Sequence, residues 1–278
     1  MNHKITFILL LLISSFFLIG CTQPDQKEVT PEPTPNSHIL RGHTYLSEIT
    51  FTPFSTVGNQ GQLYMTLKDP KGNPIQGFVE GDNRNFEIFI FSMDLSYFFH
   101  IGIDDFSGIG EEDLKKTFFR MGVEFPKDGK YKIYLDHTNN SDRIIEQFDV
   151  DSGGLNIPQD GTPQKNFSVE QNIDGYTVLL KKAPVLKSGT PLTLTFDIEK
   201  EGVKVTDLGS LRGEKIFVTV VDEEVGSFGR ATKQLEINSF THTFPAPGDY
   251  KIFVEFRHQG ATKTVSFWVN VESLITIN

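Results

Sequence analysis

Apolar and polar residues alternate along several short stretches of the chain. In the stretch 250–256, Tyr250, Ile252, Val254 and Phe256 fall on one face, and four apolar residues again take every second position in 265–271. A period of two over five or more residues is typical of a half-buried antiparallel strand. Turn-forming runs such as "DPKGNP" and "APGD" separate these stretches. The pattern therefore predicts an all-β fold made of short strands.

Three blocks of sequence occur twice in the same order. The matching pairs are "FPKDGKYKIYLD" (125–136) with "FPAPGDYKIFVE" (244–255), "LYMTLKDPKGNPI" (63–75) with "LTLTFDIEKEGVKV" (192–205), and "EIFIF" (87–91) with "KIFVT" (215–219). Recurrence at this distance indicates a duplicated domain of about 110 residues rather than a short-period solenoid. We therefore expect two domains of one plan, each with its own core.

A tyrosine follows a glycine turn in both copies of the first block. In immunoglobulin-like sandwiches, a tyrosine near the start of strand F anchors the preceding corner through its hydroxyl, two residues before a core cysteine. Tyr131 and Tyr250 fit that corner, and Ile133 and Ile252 stand where the cysteine would be. The blocks thus resemble the corner of a disulfide-free Ig-like module, which implies a structural role for both tyrosines. The alternative is a generic glycine turn before an aromatic strand.

The first 21 residues, "MNHKITFILLLLISSFFLIGC", have the layout of a secretory signal, with a basic start and a long apolar run. Their end, 18–21, resembles the bacterial lipobox, and Cys21 is the only cysteine of the chain. The resemblance implies a signal peptide at 1–20 and a lipid (palmitate) on Cys21. The alternative is an uncleaved N-terminal anchor. Both interpretations place the rest of the chain on the extracytoplasmic face of a cell membrane.

The domain boundaries follow from these patterns. Residues 21–40 carry four prolines and few large apolar side chains, so we expect a flexible tether after the lipidated cysteine. The two tandem Ig-like β-sandwiches are then expected at 41–151 and 187–278. Residues 152–186 are the junction and the start of the second domain, with the most exposed part at 151–167.

Composition and motifs narrow the class of function. The formal net charge is −10 and no basic face or stripe is visible, so nucleic acid is not expected as a partner. The sequence contains no G-x-S-x-G, no phosphate-binding glycine loop and no H-E-x-x-H, and we expect no enzyme, although a hydrolase with an unrecognised site stays an alternative. Acidic stretches at 103–108 and 149–154 are either calcium-binding or ordinary solvated loops.

One stretch carries a second resemblance. "FEIFIFSMDLSYFFHIGIDD" (86–105) is similar to YtkA-like, copper-handling β-sandwich proteins of the bacterial envelope, in which a V-S-x-D-L-x-x-F strand runs into H-x-H-P. His100 matches the first histidine, whereas Gly102 stands at the second, and the corresponding stretch of the second domain (221–231) has neither. The resemblance implies a copper site with His100 as a ligand, and Met93 is a further candidate ligand, since imidazole and thioether groups suit copper.

These inferences converge on a non-enzymatic, membrane-anchored lipoprotein of the cell envelope. Its lipid would hold it to the membrane, and the sandwiches would bind an envelope protein or a small ligand through loops or strand edges, without a cofactor. The alternative function is copper or other metal handling at a partly lost histidine site.

Overall fold

The computed structural model describes residues 38–41, 45, 47–52, 61–75, 86–106, 111–139, 142–152 and 161–274. The predicted signal peptide, Cys21 and most of the predicted tether lie outside these residues. The first described strand begins at His38 and pairs with a strand that starts at Glu48. The last three residues of the predicted tether, 38–40, therefore belong to the first sheet.

The first half of the chain forms a two-sheet β-sandwich. Its strands are β1 (His38–Arg41), β2 (Glu48–Thr52), β3 (Gly61–Thr66), β4 (Phe86–Ser92), β5 (Phe98–Gly102), β6 (Phe118–Val123), β7 (Gly129–Asn139) and β8 (Asp142–Ser152). One sheet has the order β1-β2-β3-β6 and the other the order β5-β4-β7-β8, with antiparallel pairing throughout. A short helix, α1 (Glu111–Lys116), precedes β6. In the described part of the chain, no helix is long and apolar enough to cross a bilayer.

The second half repeats this architecture. Its strands are β9 (Glu170–Ile173), β10 (Tyr176–Lys182), β11 (Leu186–Lys187), β12 (Pro191–Lys200), β13 (Val203–Lys204), β14 (Ile216–Asp222), β15 (Phe228–Arg230), β16 (Thr232–Lys233), β17 (Ser239–Thr243), β18 (Gly248–His258) and β19 (Ala261–Glu272). One sheet has the order β16-β17-β12-β10-β9, with β13 on β12, and the other the order β11-β19-β18-β14-β15. The pair β11–β19 is parallel. The fold is thus all-β, with two tandem Ig-like sandwiches.

Each sandwich has its own core of alternating inward side chains. Ile88, Ile90 and Ile133 are fully buried in the first core, and Ile252 and Phe267 take the same part in the second. Successive side chains of a strand point to opposite faces. The residues of β4, β7, β14 and β18 that alternate with the core residues therefore face outward from each sandwich. The side chains at these outward positions form the contact between the two sandwiches.

Strand pairing corrects one of the sequence alignments. Ser92 pairs with Tyr131 in the first domain and Asp222 pairs with Tyr250 in the second. With the two tyrosines aligned, β4 residues 87–91 correspond to 217–221, two residues beyond the block 215–219 that the sequence suggested. A slip of two residues keeps the inward and outward parity of every side chain, so the apolar pattern does not reveal it.

Candidate functional site: the seam between the sandwiches

The outward faces of the two sandwiches pack against each other and form a third apolar cluster. We call this cluster the seam; its buried residues are Phe89, Phe91, Leu95, Tyr134, Val221, Val225, Phe253 and Trp268, with Met93, Phe98 and Phe228 partly buried against them. Both sandwiches also lie within one compact unit, 34–278. The two domains are therefore joined by a packed interface, in addition to the connecting segment.

Equivalent residues meet across the seam in a reciprocal way. Phe98 on β5 stacks on Phe253 on β18 with ring centroids 4.3 Å apart, and its counterpart Phe228 on β15 stacks on Tyr134 on β7 at 4.8 Å. Phe98 and Phe228 are counterparts because each pairs with the equivalent residue of the neighbouring strand. Offset aromatic stacking of this kind adds to the free energy of burial. The seam thus has the pattern of an isologous dimer interface, formed within one chain.

Two reciprocal hydrogen bonds reinforce this pattern. Leu95 and Val225 occupy equivalent turns, both with φ of 54°. The carbonyl of Leu95 accepts from Lys251 Nζ of the second domain at 2.7 Å, and the carbonyl of Val225 accepts from the hydroxyl of Tyr134 of the first domain at 2.6 Å. Each turn is thereby held by the opposite domain.

Charged side chains, half of them buried, flank the apolar part of the seam. Glu87, His100 and Asp105 come from the first domain, and Arg212, Arg230 and Glu255 come from the second. His100 Nδ1 lies 2.6 Å from Glu255 Oε2, Arg212 Nη2 donates to Asp105 Oδ2 at 2.6 Å, and Arg230 Nη1 pairs with Glu87 Oε2. We call these six residues the ion network. All three of these pairs join one sandwich to the other.

The ion network favours the charged form of His100. Burial lowers the pKa of this imidazole, and Arg212 lowers it further, but the carboxylates of Glu255 and Glu87 outweigh both effects and raise the pKa above its ordinary value. His100 Nε2 faces Glu87 Oε1 at 3.6 Å, so the ring stands between two carboxylates. A protonated ring bound to Glu255 leaves no free lone pair on Nδ1, and we assign Arg212 to the backbone carbonyl of His100, at 2.9 Å.

The structure does not bring the two candidate copper ligands together. His100 pairs across the sheet with Phe89. Met93 follows Phe89 by four residues, which corresponds to about 13 Å along an extended strand. Both nitrogens of His100 face carboxylates, and the described residues contain no group of three or more His, Cys, Asp or Glu placed to hold a metal ion. Copper ligation by these residues therefore gains no support from the geometry.

The structure explains why glycine, and not the second histidine of the motif, stands at position 102. A Cβ on Gly102 would lie 2.6 Å from Cδ of Arg212, closer than atoms of real side chains approach. Arg212 passes at this point to reach Asp105 and the backbone of His100. A histidine at position 102 is thus incompatible with the observed course of Arg212.

The turn before His100 is likewise held by structural contacts. The carboxylate of Asp94 accepts from the hydroxyls of Ser92 and Ser96 at 2.7 and 2.8 Å and pairs with Lys127. Partial burial raises the pKa of Asp94, but these donors prevail and lower it well below its usual range. The S-x-D-L part of the motif therefore stabilises a turn between β4 and β5.

The two repeated tyrosines make the contacts typical of corner residues. The hydroxyl of Tyr131 donates to the carbonyl of Lys127 at 2.7 Å, and that of Tyr250 donates to the carbonyl of Ala246 at 2.9 Å. Both bonds reach back four residues, across the turn that precedes the strand. Their rings pack inside the sandwich cores, on Phe125 and Phe244 respectively.

The acidic stretches considered for calcium make ion pairs instead where they are described. Asp105 is bound by Arg212, and Asp149 and Asp151 lie 3.4 and 3.9 Å from lysines of the neighbouring strand. Residues 107–110 and 153–160 lie outside the described part of the chain.

A hydrogen-bonded chain in the second domain has the order of a catalytic relay. The hydroxyl of Tyr176 lies 2.8 Å from His258 Nδ1, and His258 Nε2 lies 3.1 Å from Asp207. Tyr176 is only 3% exposed and belongs to the core of the second sandwich, so a substrate does not reach its hydroxyl. These hydrogen bonds connect the loop of Asp207 to the end of β18.

Beside the seam lies a cleft of about 290 Å³ with a cationic rim, which we call the cationic cleft. Arg143 of the first domain and Arg230, Thr232 and Lys233 of the second line it, together with Glu214. Its floor consists of the apolar side chains Ile216, Val218 and Phe240. A smaller cleft of about 190 Å³ opens into the core of the second domain and is mainly apolar.

Sequence patterns missed the seam but contained a signal for it. Trp268 alternates with the apolar residues of 265–271 and so falls on the face opposite the core, yet it is only 4% exposed. Every residue of β4, "FEIFIFS", is buried, and β14 is buried at all but its last residue. A strand that is apolar on both faces is typical of burial on both sides, and this would have predicted a second packed surface.

Comparison with known proteins adds a partial family match. A family model described as a domain of unknown function (DUF8832) matches residues 171–273, which is less than half of the chain. These residues correspond to the second sandwich. No curated protein matches the chain significantly.

Solved structures of sandwich proteins are distantly similar. Escherichia coli alpha-2-macroglobulin activated by porcine elastase is 11% identical with a TM-score of 0.27, and the match covers 83% of this chain and 24% of that one. A two-domain fibronectin type III segment of chicken tenascin is 8% identical with a TM-score of 0.24, over 84% of this chain and 99% of that one. The FN1–FN3 domains of chicken CNTN1 are 11% identical with a TM-score of 0.22, over 84% and 67%. At scores this low the assignment of the fold rests on the strand pairing described above.

Proposed function

We propose that this protein is a non-enzymatic binding module of the cell envelope, anchored by a lipid on Cys21, in which the two sandwiches act as one rigid arm. The observation that carries the proposal is the seam. Linked Ig-like domains with small polar contacts move relative to each other, whereas a large apolar interface opposes such motion. Among the residues that the structure describes, eleven side chains form the apolar seam, and three ion pairs lie next to it.

The seam also limits where a partner can bind. It covers outward side chains of β4 and β7 in the first domain and of β14, β18 and β19 in the second. The faces of the opposite sheets, the loops at the ends of the sandwiches and the cationic cleft stay available. We infer that recognition uses these surfaces, because binding residues are commonly carried on loops or clefts held by a rigid scaffold.

The anchoring part is tested with the full-length chain in bacterial cells. Wild type is expected to incorporate a labelled fatty acid and to sediment with membranes, and Cys21→Ser is expected to lose both properties. Normal labelling of the Cys21→Ser variant would refute lipid attachment at this residue.

The rigid-arm part is tested by small-angle X-ray scattering of the full-length protein in a contrast-matched detergent. The expected profile fits one fixed arrangement of the sandwiches. A double variant, Phe98→Ala with Phe228→Ala, removes both reciprocal stacks and should broaden the distribution of sizes. A wild-type profile that requires several domain arrangements would overturn the proposal.

A further inference from the structure

We propose that the cationic cleft binds an oxyanion, a carboxylate or phosphate group of a small ligand, between the two sandwiches. This inference rests on the proposed binding function and names the ligand class for it. Clefts at the interface of two domains are common ligand sites because residues from both domains converge there. Here one arginine comes from each domain, Arg143 from β8 and Arg230 from the end of β15.

Both guanidinium groups are held in place from behind. Asp136 accepts from Nε and Nη2 of Arg143 at 2.8 and 2.6 Å, and Asp136 is itself buried. Arg230 pairs with the buried Glu87 and lies over the ring of Phe217, with 4.8 Å between the guanidinium carbon and the ring centroid. These contacts hold the planar guanidinium groups in one orientation before a ligand arrives, so binding of an anion does not cost the entropy of ordering them.

Donors remain for a ligand after these contacts. A guanidinium carries five N–H donors, and Asp136 accepts two of those of Arg143. The side chains of Arg143 and Arg230 are 49% and 31% exposed, and both line the cleft. Fixed guanidinium forks match the geometry of carboxylate and phosphate oxygens.

The remaining polar residues of the rim fit the same chemistry. Lys233 contributes a further cation, and Thr232 contributes a hydroxyl that donates or accepts. Glu214 also lines the cleft and lies 3.6 Å from Lys233, so an incoming anion competes with Glu214 for this lysine. Three cations and one carboxylate line the cleft. Asp136 and Glu87 pair with the two arginines from outside the lining, so an anion would bind through the N–H donors that these pairs leave over.

The test is calorimetric titration of the full-length protein in detergent with sodium phosphate and, separately, sodium succinate, at an ionic strength kept constant with sodium chloride. We expect saturable binding of at least one of the two anions. Binding of phosphate alone or of succinate alone supports the site and identifies which oxyanion it takes. Heats that do not exceed those of a chloride titration would overturn the proposal.

Two variants and a matched control locate the site. Lys233→Gln is expected to weaken the apparent affinity about tenfold, the effect of one charge-assisted hydrogen bond. Arg143→Lys keeps the charge but loses the fork and should also weaken binding. Lys181→Gln removes an exposed lysine that pairs with Asp197 and does not line the cleft, and it should bind as wild type does. Equal affinity of Lys233→Gln, Arg143→Lys and wild type would exclude this cleft, and the anchoring and scattering experiments on the proposed function are unaffected by that result.

Discussion

At the residue scale, two histidines of opposite environment give the protein a predictable response to pH. Glu255 and Glu87 raise the pKa of His100 despite its burial, so the folded protein holds this proton more tightly than the unfolded chain. Burial lowers the pKa of His242 from 6.5 to about 4, so the folded protein holds that proton less tightly. The two residues therefore affect stability in opposite directions as pH changes.

We expect the melting temperature to pass through a maximum near neutral or slightly acidic pH. The contribution of His100 is fully present below its unfolded pKa, 6.5, and is lost as pH rises through its raised folded pKa. The contribution of His242 is present above 6.5 and is lost as pH falls toward about 4. Differential scanning calorimetry across this range measures both slopes. His100→Gln should flatten only the alkaline slope and His242→Gln should reduce the acid one; an alkaline slope unchanged in His100→Gln would contradict the assignment.

The corner tyrosines allow a second prediction at the same scale. Tyr131→Phe and Tyr250→Phe each remove one hydrogen bond to a backbone carbonyl and keep the ring in the core. Each substitution should lower the free energy of unfolding by about 0.5–1.5 kcal/mol, the usual net value of such a bond. Urea denaturation measures the change. Tyr64→Phe, on the outer face of the first domain, is the control; if the three variants have equal stability, the corner role is wrong.

At the scale of elements, the last residue of the strand β5 lies against the second domain at a point where a side chain would meet Arg212. Gly102 has φ of −113°, which any residue adopts, so its requirement is for space and not for an unusual backbone conformation. The space is taken by Arg212, whose Cδ and Nε would lie 2.6 and 2.9 Å from a Cβ. The side chain of Arg212 thus occupies the space beside Gly102 at the end of β5.

Gly102→Ala should therefore weaken the attachment of the two domains. We expect a loss of about 1–3 kcal/mol, the range for forcing extra atoms into a packed site, because Arg212 must leave Asp105 to make room. Chemical denaturation measures it. Gly209→Ala is the matched control, since a Cβ there meets Arg257 at an ordinary contact distance of 3.5 Å. Similar losses in both variants would show that Arg212 moves aside without cost.

At the scale of the whole molecule, the seam packs two repeated domains against each other. The two sandwich cores are separate, but the third cluster and the ion network contain residues of both domains. Trp268, the only tryptophan of the chain, is buried in the seam and donates to the carbonyl of Gln164 at 3.1 Å. Its fluorescence therefore reports the seam and not the cores.

Opening of the seam is expected to accompany unfolding in a single transition. In wild type, the tryptophan emission and the far-ultraviolet circular dichroism should change at the same temperature. Phe228→Ala removes the ring that stacks on Tyr134 and contacts Phe89, and the emission should then shift to the red at a lower temperature than the loss of strand structure. Phe118→Ala, which truncates a half-buried phenylalanine on the outer face of β6, should keep the transitions together. Separate transitions in wild type would mean that the domains are independent.

The sequence by itself determined the properties that depend on local order. Alternation of apolar residues predicted the strands, the duplicated blocks predicted two domains of one plan, and the glycine turns before Tyr131 and Tyr250 predicted the corners at which two strands begin. These features are visible because each rests on residues that are close together in the chain. The lipid on Cys21, the absence of an enzyme and the partner stay predictions from the sequence.

Only the tertiary structure decided what the outward residues do. The pattern of β4 and β14 shows that both faces are apolar, but it does not show that the second face of one covers the second face of the other. His100 matched a metal-ligand position as long as only its neighbours in sequence were considered, yet its partner Glu255 is 155 residues away. Gly102 and Arg212 are likewise in contact although they are far apart in the sequence. Contacts between distant residues depend on how the two domains are oriented, and since that orientation is set by the fit of two whole surfaces, no local pattern encodes it.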